Sequence, residues 1–276
     1  MHFPKPSVQS IVRYKHQQGV QKNQHAHHRE PHLRGVHGTE LLAAQTEIGP
    51  QLFSPTLDGI HLATHPFHPA APIESSDVPL TVSTTMDDAG LFLDTFAMTE
   101  PELKQLLGAS YGAKGDSLLA MYREHFPIKS PYLLYSQMIT DAGFRRFAHS
   151  QAELKAAQGG APVFIYLWEW TSPGYDGKFG AAHAMDVAAS FHNERDAIVG
   201  SGSCAAHSMC DALASAWVNF AKTGDPANQF IPDWPRFESK HRSTMVFGER
   251  TRAVNDAYGE IRAFWLDMPG PSSMLG

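Results

Sequence analysis

Pro162-Val163-Phe164-Ile165-Tyr166-Leu167-Trp168-Glu169-Trp170 holds β-branched, aromatic and aliphatic residues almost without interruption. A strand with one wet face alternates apolar and polar residues. This run does not, so it reads as a strand buried on both faces, the pattern of a parallel sheet. A turn-rich loop follows, Thr171-Ser172-Pro173-Gly174-Tyr175-Asp176-Gly177, and the chain then reaches Gly180-Ala181-Ala182-His183-Ala184-Met185-Asp186. A histidine on the loop after such a strand sits at the carboxyl edge, where open α/β sheets place their chemistry.

Upstream, Pro79-Leu80-Thr81-Val82-Ser83-Thr84 reads as an earlier strand running into a polar turn with two acids, Thr85-Met86-Asp87-Asp88-Ala89-Gly90. Thr99-Glu100-Pro101-Glu102 is a capping-box pattern that opens a helix through Leu107. Asp116 is expected to cap a further helix, and residues 131–158 read as a longer helical region ended by Gly159-Gly160. Downstream, Ser203 to Thr223 is the clearest helix. Ala206, Cys210, Leu213, Trp217 and Phe220 recur at steps of four and three and make one apolar stripe. Ser203 can cap its start, and Gly224 stands where a C-terminal cap glycine belongs. Thr244 to Phe247 reads as a short strand and Glu260 to Leu266 as a closing helix. The fold class is α/β, with candidate chemistry at both strand ends.

Residues 1–31 differ in composition. They hold five Lys or Arg and one acid, Glu30, while the rest of the chain holds 17 basic and 27 acidic residues. Few apolar residues and no period predict a disordered, histidine-rich basic arm, with the folded region over 32–276. His25-Ala26-His27-His28 reads as part of that arm rather than as a metal site. A helix is expected over 33–46, followed by the Asp58-Gly59 turn and a proline-dense extended connection over 61–79. The formal charge of -6 gives no electrostatic reason to expect nucleic acid as a partner. No apolar run reaches the roughly 18 residues of a membrane span. No secretory h-region is visible at the N-terminus, so a cytoplasmic location is favoured. Cys204 and Cys210 match neither a zinc knuckle nor a redox pair and read as free core thiols.

A carboxylate after one parallel strand and a histidine after the next can meet at the sheet edge. The carboxylate would fix the imidazole tautomer, and the imidazole would take a proton from a hydroxyl. The order acid then histidine is that of the last two members of an α/β-hydrolase triad. By itself the spacing favours a structural histidine.

The residues also resemble the C-terminal portion of the type-B carboxylesterases, which include para-nitrobenzyl esterases, lipases of that class and cholinesterases. Phe53-Ser54-Pro55-Thr56-Leu57-Asp58-Gly59 is similar to their F-x-P-x-x-D-G segment, and Asp77 to Phe92 to their d-V-P-x-x-x-G-T-x-x-D-E-x-x-x-F segment. Gly180 to Asp186 resembles G-A-x-H-x-x-[DE]. Trp217 to Pro226, followed by Trp234-Pro235, resembles W-x-x-F-a-x-x-G-d-P. The resemblance runs from about Leu33 to Trp265. It implies the late strands and flanking helices of an α/β-hydrolase, with an incomplete sheet, and a carboxylic ester as small-molecule substrate with no cofactor. It makes His183 the catalytic histidine and Asp88 the triad acid, one methylene shorter than the usual Glu. Asp87 and Asp186 take structural places, and Ser83 replaces a usual glycine.

The family's nucleophile elbow and oxyanion loop precede the region represented here. Gly108-Ala109-Ser110-Tyr111-Gly112 has the G-x-S-x-G form, but it follows a helix and comes after the acid, so Ser110 reads as part of an interhelical turn. Gly200-Ser201-Gly202-Ser203 follows no strand either. Three expectations result: a truncated esterase with little activity, an esterase using an unconventional nucleophile, or a noncatalytic interaction module. The strands at Leu80 and Val163, without earlier neighbours, are expected to expose an apolar edge open to self-association. Phe92, Phe96 and Trp168 are candidates for a pocket wall, with core packing as their other reading.

Overall fold

The computed structural model describes residues 37–48, 55 and 57–268. The arm over 1–31 and Phe53, Ser54 and Thr56 lie outside the described residues. The chain divides into a unit ending at His65 and a unit beginning at Pro66.

In the first unit a helix, α1, spans Gly38–Ile48, starting later than the sequence pattern suggests. The expected turn at Asp58-Gly59 forms. Asp58 Oδ1 accepts from the backbone N–H groups of Ile60, His61 and Leu62, and Gly59 takes φ +75°. Those three donors hold the Asp58 carboxyl well below the usual carboxylate range, led by the Leu62 bond.

The second unit is built on four strands, β1 (Leu80–Thr85), β2 (Val163–Trp168), β3 (Ser243–Phe247) and β4 (Arg252–Asn255), in the order β1-β2-β3-β4. The first three are parallel and β4 is antiparallel. Between β1 and β2 lie α2 (Glu100–Tyr111), α3 (Lys114–His125), α4 (Pro131–Thr140) and α5 (Arg146–Ala157). After β2 come the short α6 (Val187–Ser190) and the long α7 (Cys204–Thr223), and α8 (Gly259–Leu266) is the last helix among the described residues.

Every residue of β2 is buried, as its unbroken apolar composition requires. Phe164, Tyr166 and Trp168 pack with Ala206, Met209, Cys210 and Leu213 of α7. Val163 and Ile165 pack on the opposite face with Ala152 of α5. A third cluster joins α2, α3 and α4 to Ile261 and Trp265 of α8. The α7 stripe does the packing its period predicts. Ser203 Oγ accepts from Ala206 N–H, and Gly224 ends the helix in the left-handed conformation. The Thr99–Glu102 capping box also forms.

Three expectations need correction. The strand at Val163 is no edge, because β2 is paired on both sides. Of the two strands only β1 is an edge among the described residues, and its residues range from buried to exposed. Asp116 does not cap α3, which starts earlier, at Lys114, and leaves Asp116 in its first turn. Cys210 is buried, but Cys204 is exposed at the start of α7. Residues 131–158 form the expected helical region, with a π turn at Asp141–Arg145 between α4 and α5. β4 carries only four residues with alternating exposure, too short for a periodic signal to register.

Candidate active site

β1 ends at Thr85, and the next turn is held in place from α4. Tyr132, Ser136 and Thr140 lie one helical turn apart on one face. The Tyr132 hydroxyl donates to Gly90 O (2.7 Å), Ser136 Oγ donates to Asp87 O (3.0 Å), and Thr140 Oγ1 accepts from Ala89 N–H (2.9 Å). The π turn adds a fourth anchor. Arg145, paired with Asp141, donates through Nη2 to the carbonyls of Thr85 and Met86. Burial raises the Asp141 carboxyl pKa against the pull of Arg145, and the Tyr122 hydroxyl donates to the same carboxylate. None of these anchors was named at the sequence level. The i, i+4 spacing of Tyr132, Ser136 and Thr140 on an otherwise apolar helix is the signal that could have found three of them.

Asp87 joins this turn to the loop after β2. Its backbone N–H donates to Ala181 O (2.9 Å), and its Oδ2 accepts from Ala181 N–H (3.0 Å). The ammonium of Lys129 lies 2.5 Å from Oδ1, a charge pair without the alignment of a hydrogen bond. Gly180 makes this approach possible. It takes φ +61°, and an added Cβ would overlap Asp87 Oδ2 and come within 2.9 Å of Leu133 Cδ2. Gly180→Ala is expected to lower stability by about 2 kcal/mol, the cost of a left-handed alanine with the overlap added. Urea midpoints check this, and an unchanged midpoint would refute the close packing described.

Asp88 and His183 meet where these two segments are joined. Asp88 Oδ1 lies 2.6 Å from His183 Nδ1, and its Oδ2 is 3.4 Å from the Thr85 N–H. The shorter aspartate therefore reaches the ring. In the neutral ring, a bond to an ionised carboxylate puts the proton on Nδ1 and leaves the lone pair on Nε2. Asp88 is buried, whereas the His183 side chain is 52% exposed. Ala184, directly after the histidine, takes φ +62°.

The neighbouring candidates separate clearly. Asp186 accepts from the Tyr166 hydroxyl (2.7 Å) and does not bond to His183. Burial raises the pKa of Asp186, against that hydrogen bond. Phe92 is largely exposed with its ring centre 6.0 Å from that of His183. Phe96 packs on Tyr132 and Phe179, and Trp168 is fully buried in the core. Ser110 is exposed in the last turn of α2. Among the described residues no hydroxyl or thiol is hydrogen-bonded to His183 Nε2.

The model of the carboxylesterase family matches residues 5–265. This chain belongs to that family. A phenmedipham hydrolase from Pseudarthrobacter oxydans is 27% identical over 82% of the chain and 47% of its own length. The para-nitrobenzyl esterase of Bacillus subtilis is 28% identical over 80% of the chain and 44% of its own length. Among solved structures, a Geobacillus stearothermophilus carboxylesterase superposes with a TM-score of 0.67 at 25% identity, covering 86% of this chain and 50% of its own. The chain thus spans about half the length of the relatives it matches. Its fold is that of the α/β-hydrolase carboxylesterases, represented here by an incomplete sheet of four strands.

Proposed function

We propose that this chain carries the acid–base pair of a carboxylic ester hydrolase, with His183 as general base and Asp88 as the carboxylate that orients it. The observation that carries the reading is the 2.6 Å contact between Asp88 and His183 Nδ1. It presents Nε2 on a half-exposed ring at the carboxyl edge of a parallel sheet, in a family of ester hydrolases. In such chemistry the imidazole takes the proton of an attacking hydroxyl and returns it to the leaving alcohol.

The finer part of the proposal concerns the nucleophile. Acyl transfer needs a hydroxyl at Nε2 and preorganised donors for the oxyanion. The described residues supply acid and base but no such hydroxyl, so the chain alone is expected to hydrolyse esters weakly. Treating it with a fluorophosphonate probe should label no single serine stoichiometrically. Turnover of para-nitrophenyl butyrate should stay near that of free imidazole and fall further in His183→Ala. Strong labelling of one serine, with turnover abolished by His183→Ala, would place a nucleophile within this chain and overturn the finer statement. Strong turnover unaffected by His183→Ala would overturn the assignment of the base.

A further inference from the structure

A cleft of about 330 Å³ opens between α5 and α8, and none of its lining residues belongs to the acidic turn or the histidine loop. That volume lies within the range of small-molecule sites, roughly 300–1,000 Å³. Its two walls are helical faces. Arg146, His149, Ser150 and Glu153 recur at i, i+3, i+4 and i+7 along α5, so they project to one side. Tyr258, Ile261, Arg262 and Trp265 repeat that spacing at the start of α8 and along it.

The polar groups of the lining are unevenly satisfied. Arg262 forms a two-pronged pair with Asp256, from Nε to Oδ1 (2.7 Å) and from Nη2 to Oδ2 (2.8 Å). Glu153 accepts from Arg242 Nε (2.9 Å), and Arg145 pairs with Asp141. Arg146 pairs with no carboxylate among the described residues. Its Nη1 donates to Met268 O (2.9 Å), which leaves further N–H donors on the guanidinium. One turn along the same face, His149 is only 7% exposed, and its Nδ1 has no hydrogen-bond partner. A buried polar atom without a partner is destabilising, so it points to a partner from outside the chain.

We propose that this cleft binds a small organic monoanion, a carboxylate on an aromatic or aliphatic body, with Arg146 gripping the carboxylate and His149 donating to it. The charges select a monoanion. Burial holds the His149 pKa at about 4, so at neutral pH the ring offers one N–H and no second charge. A phosphate dianion would meet a single unpaired guanidinium and, on the same face, the Glu153 carboxylate. A carboxylate matches the planar fork of one arginine. The walls select the rest of the ligand. Phe147 and Leu266 line the cleft while 62% and 49% exposed, beside Ile261 and Trp265. An apolar body laid against them takes that surface out of water, which a bare inorganic anion does not do.

The test is a calorimetric titration of the full chain at neutral pH with naphthalene-2-carboxylate, with its neutral amide, and with inorganic phosphate. One equivalent of the acid should bind, the amide should bind about 10-fold more weakly or worse, and phosphate should give no binding heat. Arg146→Gln should weaken the acid about 10- to 100-fold, the effect of losing a charge-assisted pair of bonds. Ser150→Trp fills the cleft from an exposed position and should abolish binding. His183→Ala should bind the acid as tightly as the wild type, which separates this site from the proposed esterase pair. Near-ultraviolet circular dichroism confirms that each variant is folded, and the exposed Ser150 position serves where Arg146→Gln does not fold. Equal affinity for acid and amide, or affinity unchanged in either folded cleft variant, would overturn the site. So would phosphate binding as tightly as the acid, or binding lost in folded His183→Ala.

Discussion

Asp87→Ala is expected to lower the free energy of unfolding by about 3 kcal/mol, far more than Asp88→Asn, although the two acids are adjacent. Asp87 is buried against a Lys129 side chain that is only 14% exposed. Removing the carboxylate leaves an ammonium largely out of water, with Gln137 Oε1 at 2.8 Å and the face of Phe126 as its remaining partners. It also removes the acceptor for Ala181 N–H, two residues before His183. Asp88→Asn, by contrast, keeps an oxygen facing His183 Nδ1, and its cost should be about 1 kcal/mol, typical of one weakened hydrogen bond.

The comparison becomes sharper with a double variant. An uncompensated charge accounts for most of the loss, so Asp87→Ala combined with Lys129→Met should be less destabilising than the two single effects added together. Urea denaturation of the four proteins measures this coupling directly. A cycle that closes additively, or an Asp87→Ala protein within about 0.5 kcal/mol of wild type, would mean that the buried pair is not what joins the acidic turn to the histidine loop.

Much of this arrangement is legible in the sequence because strong local signals agree with it. The unbroken apolar run of β2, the α7 stripe with its serine cap and glycine stop, and the capping box before α2 each reflect one dominant physical requirement, and each appears where expected. The meeting of Asp88 with His183 is a long-range event. It was inferable from an acid and a histidine that each follow a strand, taken together with the family resemblance, and the structure pairs those strands in parallel from Leu80–Val163 to Thr85–Trp168. What local pattern cannot carry is the partner of a polar residue. Nothing local marks Lys129 as the residue that the fold sets against Asp87. The π turn at Asp141–Arg145 likewise sits in a helical sequence. Its inward Arg145 is determined by the Thr85 and Met86 carbonyls, 60 and 59 residues earlier in the chain. The strand at Val163 reads as an edge when its earlier neighbours are taken to be missing, whereas β1 and β3 pair with it on its two sides.

His149 illustrates a polar residue whose effect depends entirely on the fold, and it is expected to contribute to the acid sensitivity of this protein. Its imidazole is buried on α5 beside Phe237, with Nδ1 unpartnered, in a cleft also lined by Arg145, Arg146, Glu153, Tyr258 and Arg262. Burial first, then the positive charges of Arg145, Arg262 and Arg242, pushes its pKa down to about 4, with Asp256 opposing. In the unfolded chain the same ring titrates near 6.5. The unfolded state therefore takes up a proton at a pH where the folded state does not, and stability falls as pH drops from about 6.5 toward 4. Between pH 7 and pH 5 this one group should remove about 2 kcal/mol. That window lies mostly above the range where carboxylates held low by their partners, such as Glu100 and Asp256, begin to contribute losses of their own. In His149→Phe, which has no proton to gain, the difference in unfolding free energy between the two pH values should shrink by the same amount. Equal losses in wild type and variant would show that His149 is not the group responsible.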